Sequence, residues 1–290
     1  MSAHMATKKT KTKRRYPTQV TSIVRLAAPA VNGIIKADQA LSRLNKRLYR
    51  QGRFYQCKVD LDLSAADTGS PIEVYALRDT WGNHKAYQMA FDIYNKSVAA
   101  EKERLSDDQL ARWQDFRCQD GTGYQEMLPQ VSNEAQVDAA LNIGEFNVSQ
   151  VEDIGGNTMV FTWGNGVAGT SYGIRAEYEL KSTTDDSPVQ NLEDVPYDQQ
   201  QENVSNVEIN QLRNRGNDPP YNSDSFGDAW VKVASLSRTP GQQRLTTGFF
   251  TAPCGFIVVT GLSGAIQTPL QLTVKAGDYK GVHADSMLEV

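Results

Sequence analysis

Side chains suited to acid, base or nucleophilic chemistry are scattered along this 290-residue sequence. His84 and His283 do not stand at zinc-ligand spacing to each other or to a cysteine. Cys254 follows Pro253 at the predicted entrance of a strand, but a thiol nucleophile needs a positioned base, and only His283 is a candidate. We therefore expect both histidines to be structural or solvent-exposed, and the sequence predicts no catalytic residue, no metal site and no cofactor.

Two pairs of carboxylates are also candidates for acid–base chemistry or metal binding. Asp60 and Asp62 share one face of a predicted strand, where we expect them to be solvated on an exposed sheet surface. A divalent-cation site at a contact between subunits is the alternative interpretation. Asp107 and Asp108 are better explained by the N-terminus of a helix, where negative charge is favoured. Neither pair indicates acid–base catalysis.

The strongest chemical signal is a run of cations near the start of the chain. Residues 8–15 hold six of them in eight positions: Lys8, Lys9, Lys11, Lys13, Arg14 and Arg15. The run has no apolar side chain to bury, so we expect it to order only when a polyanion neutralises it. Its composition also fits a nuclear-localisation signal or a solubilising tail. Import and phosphate binding are compatible functions of one basic segment.

Charge is strongly divided along the sequence. Residues 1–53 carry 13 Lys or Arg and a single acid, Asp38, which gives that segment a net charge of +12. The other 237 residues carry 17 basic and 33 acidic side chains, a net charge of −16. An asymmetry of this size indicates a polyanion-binding arm, residues 1–53, attached to a globular body, residues 54–290.

A short helix is predicted in the second half of the arm, beginning at Lys36. Its apolar residues recur at steps of three and four, which places them on one stripe. The cations expected to face phosphates from the other side, or from the segment that follows, are Arg43, Lys46, Arg47, Arg50 and Arg53. A membrane-surface helix is the competing interpretation. It is disfavoured because the apolar stripe has no bulky aromatic residue, and we expect no membrane partner.

The body shows alternating apolar patterns typical of strands. Strands are predicted over residues 54–63, 72–77, 146–151, 158–163, 172–180, 229–236, 244–251, 255–262 and 270–274. Residues 83–105 predict a helix, and a capping box at 106–109 predicts a short second one through Trp113. Residues 182–227 predict a long polar loop, and residues 276–290 an irregular tail.

These elements predict an all-β fold. Eight or nine strands without βα alternation favour a single eight-stranded jelly-roll sandwich with a helical insertion between the second and third strands. No apolar window is long enough to span a membrane, and no secretory signal follows the basic start. Cys57, Cys118 and Cys254 are odd in number and far apart, which favours buried free thiols in a reducing compartment.

Several segments resemble capsid proteins of Rep-encoding circular single-stranded DNA viruses. The segments are Thr251–Val259, Val274–Ala284, Arg78–Trp81 and Arg112–Phe116, together with Tyr87 and Tyr94. The resemblance implies a structural protein, not an enzyme, built as one jelly roll. It also implies a homo-oligomeric icosahedral shell of 60 copies or a multiple of 60, with the basic arm directed to the viral genomic nucleic acid. We expect single-stranded DNA as the genome, although small RNA-virus capsids share this plan. The expected locations are the virion and, during assembly, the host nucleus.

A cellular binding module is the alternative function. A lectin-like jelly roll with a basic nuclear-targeting tail could use loop 182–227, where Tyr197 and Tyr221 could stack on sugars. A metal-dependent cupin is less suitable, because it needs clustered histidine and carboxylate ligands.

Overall fold

The computed structural model describes residues 20–27, 32–62, 70–103, 115–132, 138–140, 146–152, 156–167, 169–182, 229–239, 244–262 and 270–289. Over these residues the chain is mostly β-sheet, and its main body is an antiparallel sandwich, which agrees with the predicted all-β class. Among the same residues, no helix has both the length and the apolar character needed to cross a bilayer.

The described residues form the following strands and helices, given in chain order. The strands are β1 (Ile23–Leu26), β2 (Gly33–Lys36), β3 (Arg53–Asp62), β4 (Ile72–Leu77), β5 (Gln125–Glu126), β6 (Gln130–Ser132), β7 (Asp138–Ala140), β8 (Gln150–Glu152), β9 (Thr158–Thr162), β10 (Ser171–Gly173), β11 (Trp230–Leu236), β12 (Arg244–Thr246), β13 (Phe250–Pro253), β14 (Phe256–Thr260), β15 (Leu270–Val274) and β16 (Ala284–Ser286). The helices are α1 (Ala37–Asn45), α2 (Trp81–Lys102) and α3 (Ile174–Ser182).

Strand β3 is the centre of the first sheet. It pairs along one edge with β15 and β16 and along the other with β12 and β13, and β1 pairs with β15. Every pairing in this sheet is antiparallel. The second sheet has the order β11-β4-β14-β2-β5, in which only the short β2–β5 pairing is parallel. Successive strands therefore often lie in different sheets.

The main core lies between the two sheets. Alternate residues of β3 point into it, as the sequence pattern predicts: Tyr55, Cys57, Val59 and Leu61 are at most 1% exposed. Ile257 and Val259 of β14 meet them from the second sheet. Burying each such side chain contributes about 1.5–3 kcal/mol. This apolar layer is what holds the two sheets face to face.

A second core covers the outer face of the second sheet. The neighbouring residues of β14, Phe256 and Val258, point into this core, so that strand is buried on both faces. The covering layer comes from the chain between β4 and β11, mainly α2, α3 and β8 to β10, whereas β5 from the same stretch belongs to the second sheet itself. Its aromatic rings pack closely, with the Phe116 and Phe161 centroids 5.0 Å apart. The insertion is therefore a third layer on the sandwich.

The strand predicted over residues 172–180 is wrong. The extended backbone ends at Gly173, and helix α3 follows. Ile174 and Tyr178 alternate with polar residues, but they are also four positions apart, so the same sequence suits a helical stripe. The ion pair between Arg175 and Glu179, again four positions apart, supports the helix. Strand β10 pairs with β9 in parallel, so the two strands do not form a hairpin.

Other predictions are confirmed or need smaller corrections. Helices α1 and α2 and strands β3, β4, β9, β11, β14 and β15 form close to their predicted bounds. The strand predicted over 244–251 divides into β12 and β13 around Gly248, whose φ of +73° favours glycine. The strand predicted over 146–151 starts only at Gln150, and the tail contains β16. The predicted capping box at 106–109 and loop 182–227 lie outside the described residues, apart from Ser182 at the end of α3.

The predicted boundary at residue 53 does not separate an arm from a body. Strands β1 and β2 pair with β15 and β14, and α1 is largely buried. Residues 20–27 and 32–53 therefore belong to the sandwich. The reason is that their apolar side chains, such as Val24, Leu26 and Leu41, complete the core between the sheets.

Candidate nucleic-acid interface

A group of five cations lies where α1 gives way to β3. We call it the basic cluster: Lys46, Arg47, Arg50, Arg53 and Lys280. Helix α1 stops because Lys46 adopts a left-handed conformation, with φ of 50°, and its backbone N–H caps the carbonyl of Ser42. The chain then runs through the next three cations of the cluster before β3 continues into the core.

The fifth cation comes from the far end of the sequence. Tyr279 and Val282 pair across a tight turn in which Lys280 and Gly281 both have positive φ, 51° and 95°. Two such residues in succession are typical of a two-residue hairpin turn, with glycine favoured at the second position. The turn presents Lys280 to the segment after α1, where its ammonium group donates to the carbonyl of Leu48.

Polar contacts fix this turn against the cluster. The Arg47 guanidinium donates to the Lys280 carbonyl at 3.4 Å, and the Tyr49 hydroxyl donates to the same oxygen at 3.0 Å. The backbone N–H of Arg50 donates to the Tyr279 hydroxyl at 3.1 Å. Residues from the two ends of the chain therefore form one surface.

Two of the cations make cation–π contacts with one aromatic ring. The Arg53 guanidinium lies 3.5 Å from the centroid of Tyr279, and the Lys280 ammonium lies 5.3 Å from it. Cation–π contacts of this kind contribute about 0.5–2 kcal/mol. Arg53 also donates to the Ala284 carbonyl at 2.8 Å. These contacts hold the two positive charges at fixed positions. Fixed charges suit direct contacts with the phosphates of a polyanion.

Arg50 joins the cluster to a buried acid. Its side chain is 53% exposed, and Nη1 lies 3.3 Å from Oδ1 of Asp115, whose side chain is only 6% exposed. The backbone N–H of Gln51 donates to Oδ2 of the same carboxyl at 3.1 Å, and Arg117 Nε lies 3.8 Å from it. Burial raises the pKa of Asp115, and these donors and cations work against that rise.

The first described residues of the chain lie beside this cluster. Asn45, the last residue of α1, makes two hydrogen bonds of 2.8 and 3.0 Å to the backbone of Thr21. Val20 packs so closely on Gly281 that a side chain there would lie 2.6 Å from it. Arg15 precedes Val20 by five positions in the sequence, and an extended chain of that length spans at most about 17 Å.

A polar cleft of about 560 Å³ is lined in part by Tyr279 and Arg53. His283 lines it together with three carboxylates, Asp278, Asp285 and Glu289. These acids repel phosphates, so we expect a polyanion to run over the side formed by Lys46 and Arg50.

The structure brings together four of the predicted binding residues: Lys46, Arg47, Arg50 and Arg53. Arg43 is in a different environment. It is 8% exposed, and its Nη1 lies 2.5 Å from Oε1 of Glu126, so its expected position on an exposed basic face is wrong. Its place in α1 turns it toward β5 instead of solvent. The cations of residues 8–15 lie outside the described residues.

Lys280 is a member of the cluster that the sequence did not predict. It lies in a segment predicted to be an irregular tail, more than two hundred residues from the other members of the cluster. The pair Lys280-Gly281 suits a tight hairpin turn, and that local signal was available. Nothing in the sequence indicates that the turn folds back on α1.

The residues considered for catalysis are held in structural contacts. His84 is 9% exposed, with Nε2 2.8 Å from Asp79 Oδ1 and its ring against Phe54. Asp60 is 2% exposed, so the expectation that it is solvated on an open face is wrong. Burial acts to raise its pKa, but hydrogen bonds from donors including Lys58 and Arg244 outweigh burial and lower it. Its carboxylate therefore serves an ion-pair network on β3.

The three cysteines are buried and unpaired, as predicted. Burial raises the pKa of Cys57 and of Cys254 far above that of a free thiol, which is unfavourable for a nucleophile. Within the described ranges, no three histidine, cysteine or acidic side chains are grouped as metal ligands.

No protein-family model, curated protein or solved structure matches this chain. Binding is inferred from three features: the cations after α1, the ring of Tyr279 beside them, and the basic run that precedes Val20 in the sequence. Together they suit an extended polyanion whose phosphates are contacted without reading bases.

Proposed function

We propose that this chain is the capsid subunit of a small virus, a jelly roll that assembles into an icosahedral shell of 60 copies or a multiple of 60. In this proposal the basic run and the basic cluster hold the genome on the inside of the shell. The similarity to capsid proteins of circular single-stranded DNA viruses favours single-stranded DNA as that genome. The proposed locations are the virion and, during assembly, the host nucleus.

The strand pairing supports the jelly-roll part of the proposal. When β12 and β13 are counted as one strand, and the insertion and the short β16 are left out, eight strands remain: β1, β2, β3, β4, β11, β12 with β13, β14 and β15. The first of these pairs with the eighth, the second with the seventh, the third with the sixth and the fourth with the fifth. That is the pattern of one long hairpin rolled into two sheets, and jelly rolls occur in viral capsids.

The observation that carries the proposal is the basic cluster, five cations that the turn at Lys280 and the ring of Tyr279 hold together after α1. The run at residues 8–15 leads into Val20, which packs on Gly281 of the turn that carries Lys280. Sixty copies of the run would bring about 360 positive charges to one surface, each offsetting about one phosphate. The acidic remainder of the chain would keep such particles soluble.

Electron microscopy of the purified full-length protein tests the shell. We expect uniform closed particles whose ratio of absorbance at 260 and 280 nm reveals nucleic acid. Changing the six cations of residues 8–15 to Gln should leave the particles intact and remove most of the nucleic-acid signal. A matched control shuffles residues 8–15 without changing their composition, and it should package as well as the wild type.

Two outcomes would contradict the proposal in different ways. Empty particles from the wild-type chain would retain the shell and remove the packaging role of the run. A monomer without bound nucleic acid, across a range of salt and pH, would exclude the capsid function. A glycan array would then test the lectin-like alternative.

A further inference from the structure

Arg50 is a cation of the basic cluster that also makes an ion pair inside the fold. Its side chain is 53% exposed, and Nη1 lies 3.3 Å from Oδ1 of Asp115, whose side chain is only 6% exposed. Asp115 belongs to the insertion, so this ion pair joins the cluster to the third layer of the protein. A phosphate that approaches the exposed part of Arg50 therefore meets a cation that already has an anionic partner.

Asp115 has a second cation close by. Nε of Arg117 lies 3.8 Å from Oδ2 of Asp115, and the Arg117 side chain is 9% exposed. Within the described part of the chain, no acceptor forms a hydrogen bond with this buried Nε. A buried donor without an acceptor is unfavourable, and an N–H···O bond requires a separation of about 3 Å, so a shift of the carboxylate by about 1 Å would supply the missing bond. Asp115 can therefore exchange Arg50 for Arg117 without leaving its charge unpaired.

The backbone on both sides of this exchange is held by other bonds. The Gln51 side chain is 1% exposed; it accepts a hydrogen bond from the Cys118 N–H at 2.7 Å and donates one to the Cys118 carbonyl at 3.1 Å. The backbone N–H of Gln51 also donates to Oδ2 of Asp115 at 3.1 Å. These bonds join the segment after α1 to the insertion, so the exchange requires only the side chains of Arg50 and Asp115 to move.

We propose that Asp115 competes with the phosphates of a bound polyanion for Arg50 and thereby limits the affinity of the basic cluster. This proposal rests on the proposed function for its ligand. In the free protein Arg50 pairs with Asp115; in the complex Arg50 binds a phosphate, and Asp115 pairs with Arg117. Charge fixes the direction of the effect, because the carboxylate and a phosphate repel each other even where Arg50 contacts both.

The first test measures the affinity of the full-length protein for a 20-nucleotide single-stranded DNA at fixed salt. We expect D115N to bind about twofold to fivefold more tightly than the wild type, because the amide keeps the shape of the carboxyl group and removes its charge. The gain should vanish in the R50Q background, since Arg50 is the cation that D115N releases. D120N is the matched control, because Asp120 is another acid of the insertion, 11% exposed, and its cation Lys36, 3.7 Å away, lies outside the cluster.

Three outcomes of this test would overturn the proposal. An equal gain in D120N would show that only the net charge of the protein matters. A gain from D115N that persists in the R50Q background would show that Arg50 is not the cation in competition. Unchanged or weaker binding by D115N would show that Asp115 does not limit the affinity.

The second test measures urea unfolding and needs no nucleic acid. If Arg117 replaces Arg50 beside Asp115, R50Q with R117Q should lower the midpoint by more than the sum of the two single changes. In the D115N background, the two changes should be additive. Additive effects in the wild-type background would overturn the exchange. If R117Q does not fold, R117K takes its place, since it keeps the charge and removes the Nε donor. If the wild type binds no oligonucleotide at any salt concentration, the proposed function fails, and this second test still decides whether Asp115 exchanges its cations.

Discussion

At the scale of single residues, similar cations of one helix have opposite surroundings. Arg43 turns toward Glu126 and is buried, whereas Lys46, three positions later, is exposed at the helix end. Breaking a buried ion pair costs about 3–5 kcal/mol, and the partial exposure of Glu126 reduces that cost. Charge in the sequence alone therefore does not separate a structural cation from a binding one.

The pair R43Q and K46Q tests this assignment. R43Q should lower the free energy of unfolding by about 2 kcal/mol, because it leaves Glu126 without its closest partner, and should not weaken binding of single-stranded DNA. K46Q should leave stability within about 0.5 kcal/mol and weaken binding, because it removes an exposed cation. Urea denaturation and fluorescence anisotropy measure the two quantities. Weaker binding by R43Q at full stability would contradict the assignment.

Sequence patterns were informative at this scale wherever burial follows a simple period. Tyr55, Cys57, Val59 and Leu61 alternate with polar residues, and all four lie in the core as expected. Asp60 was misjudged because its ion-pair partner Arg244 comes from a strand almost two hundred residues away. Lys280 was missed for the same reason, since its place in the cluster depends on a contact between the two ends of the chain.

At the scale of elements, one side chain of α1 holds the segment that precedes β1. Asn45 at the end of α1 makes both hydrogen bonds to the backbone of Thr21, and β1 begins two residues later. The side chain also donates to the carbonyl of Leu41 in the last turn of the helix. Asn45 thus joins the segment before β1 to the last turn of α1.

N45A should release this entry. We expect a loss of about 1 kcal/mol in the free energy of unfolding, because three partly solvated hydrogen bonds of the Asn45 side chain are removed. The amide of Thr21 should exchange with solvent much faster, while amides in the middle of β3 keep their protection. Hydrogen exchange measures both, and S97A, at an exposed site on α2, is the control. Unchanged exchange at Thr21 in N45A would show that the β1–β15 pairing alone holds the entry.

The elements themselves were predictable to different degrees. Strands β3, β4, β11 and β15 have clear alternation and turn residues at their ends, so their bounds follow from local sequence. Helix α3 was taken for a strand because Ile174 and Tyr178 satisfy both periods, and its packing against α2 decides between them. The pairing of β1 with β15 could not be read from either strand, since register between distant strands depends on the whole sandwich.

At the scale of the whole molecule, the division of charge survives folding. Strands β1 and β2 join the sandwich and bring described residues of the predicted basic segment into it. Under the proposed function, the run at residues 8–15 adds its charge to that of the basic cluster. The insertion covers the second sheet, and its residue Asp115 binds Arg50, so the basic cluster adjoins the insertion. The sequence predicted the polarity of the chain, but not that Lys280 joins the cations after α1.

The salt dependence of DNA binding measures how many phosphates the run and the cluster each neutralise. For single strands, the logarithm of the binding constant falls with the logarithm of salt concentration by about 0.7 per phosphate neutralised. Changing the six cations of residues 8–15 to Gln should therefore reduce the slope by about 4, whereas K46Q with R47Q should reduce it by about 1.4. Titrations of a 20-nucleotide DNA from 50 to 400 mM salt would measure both slopes, with the shuffled run as the control. If neutralising the run changed the slope by less than about 1, the cluster alone would contact the phosphates, and the run would be left with a role in import or solubility.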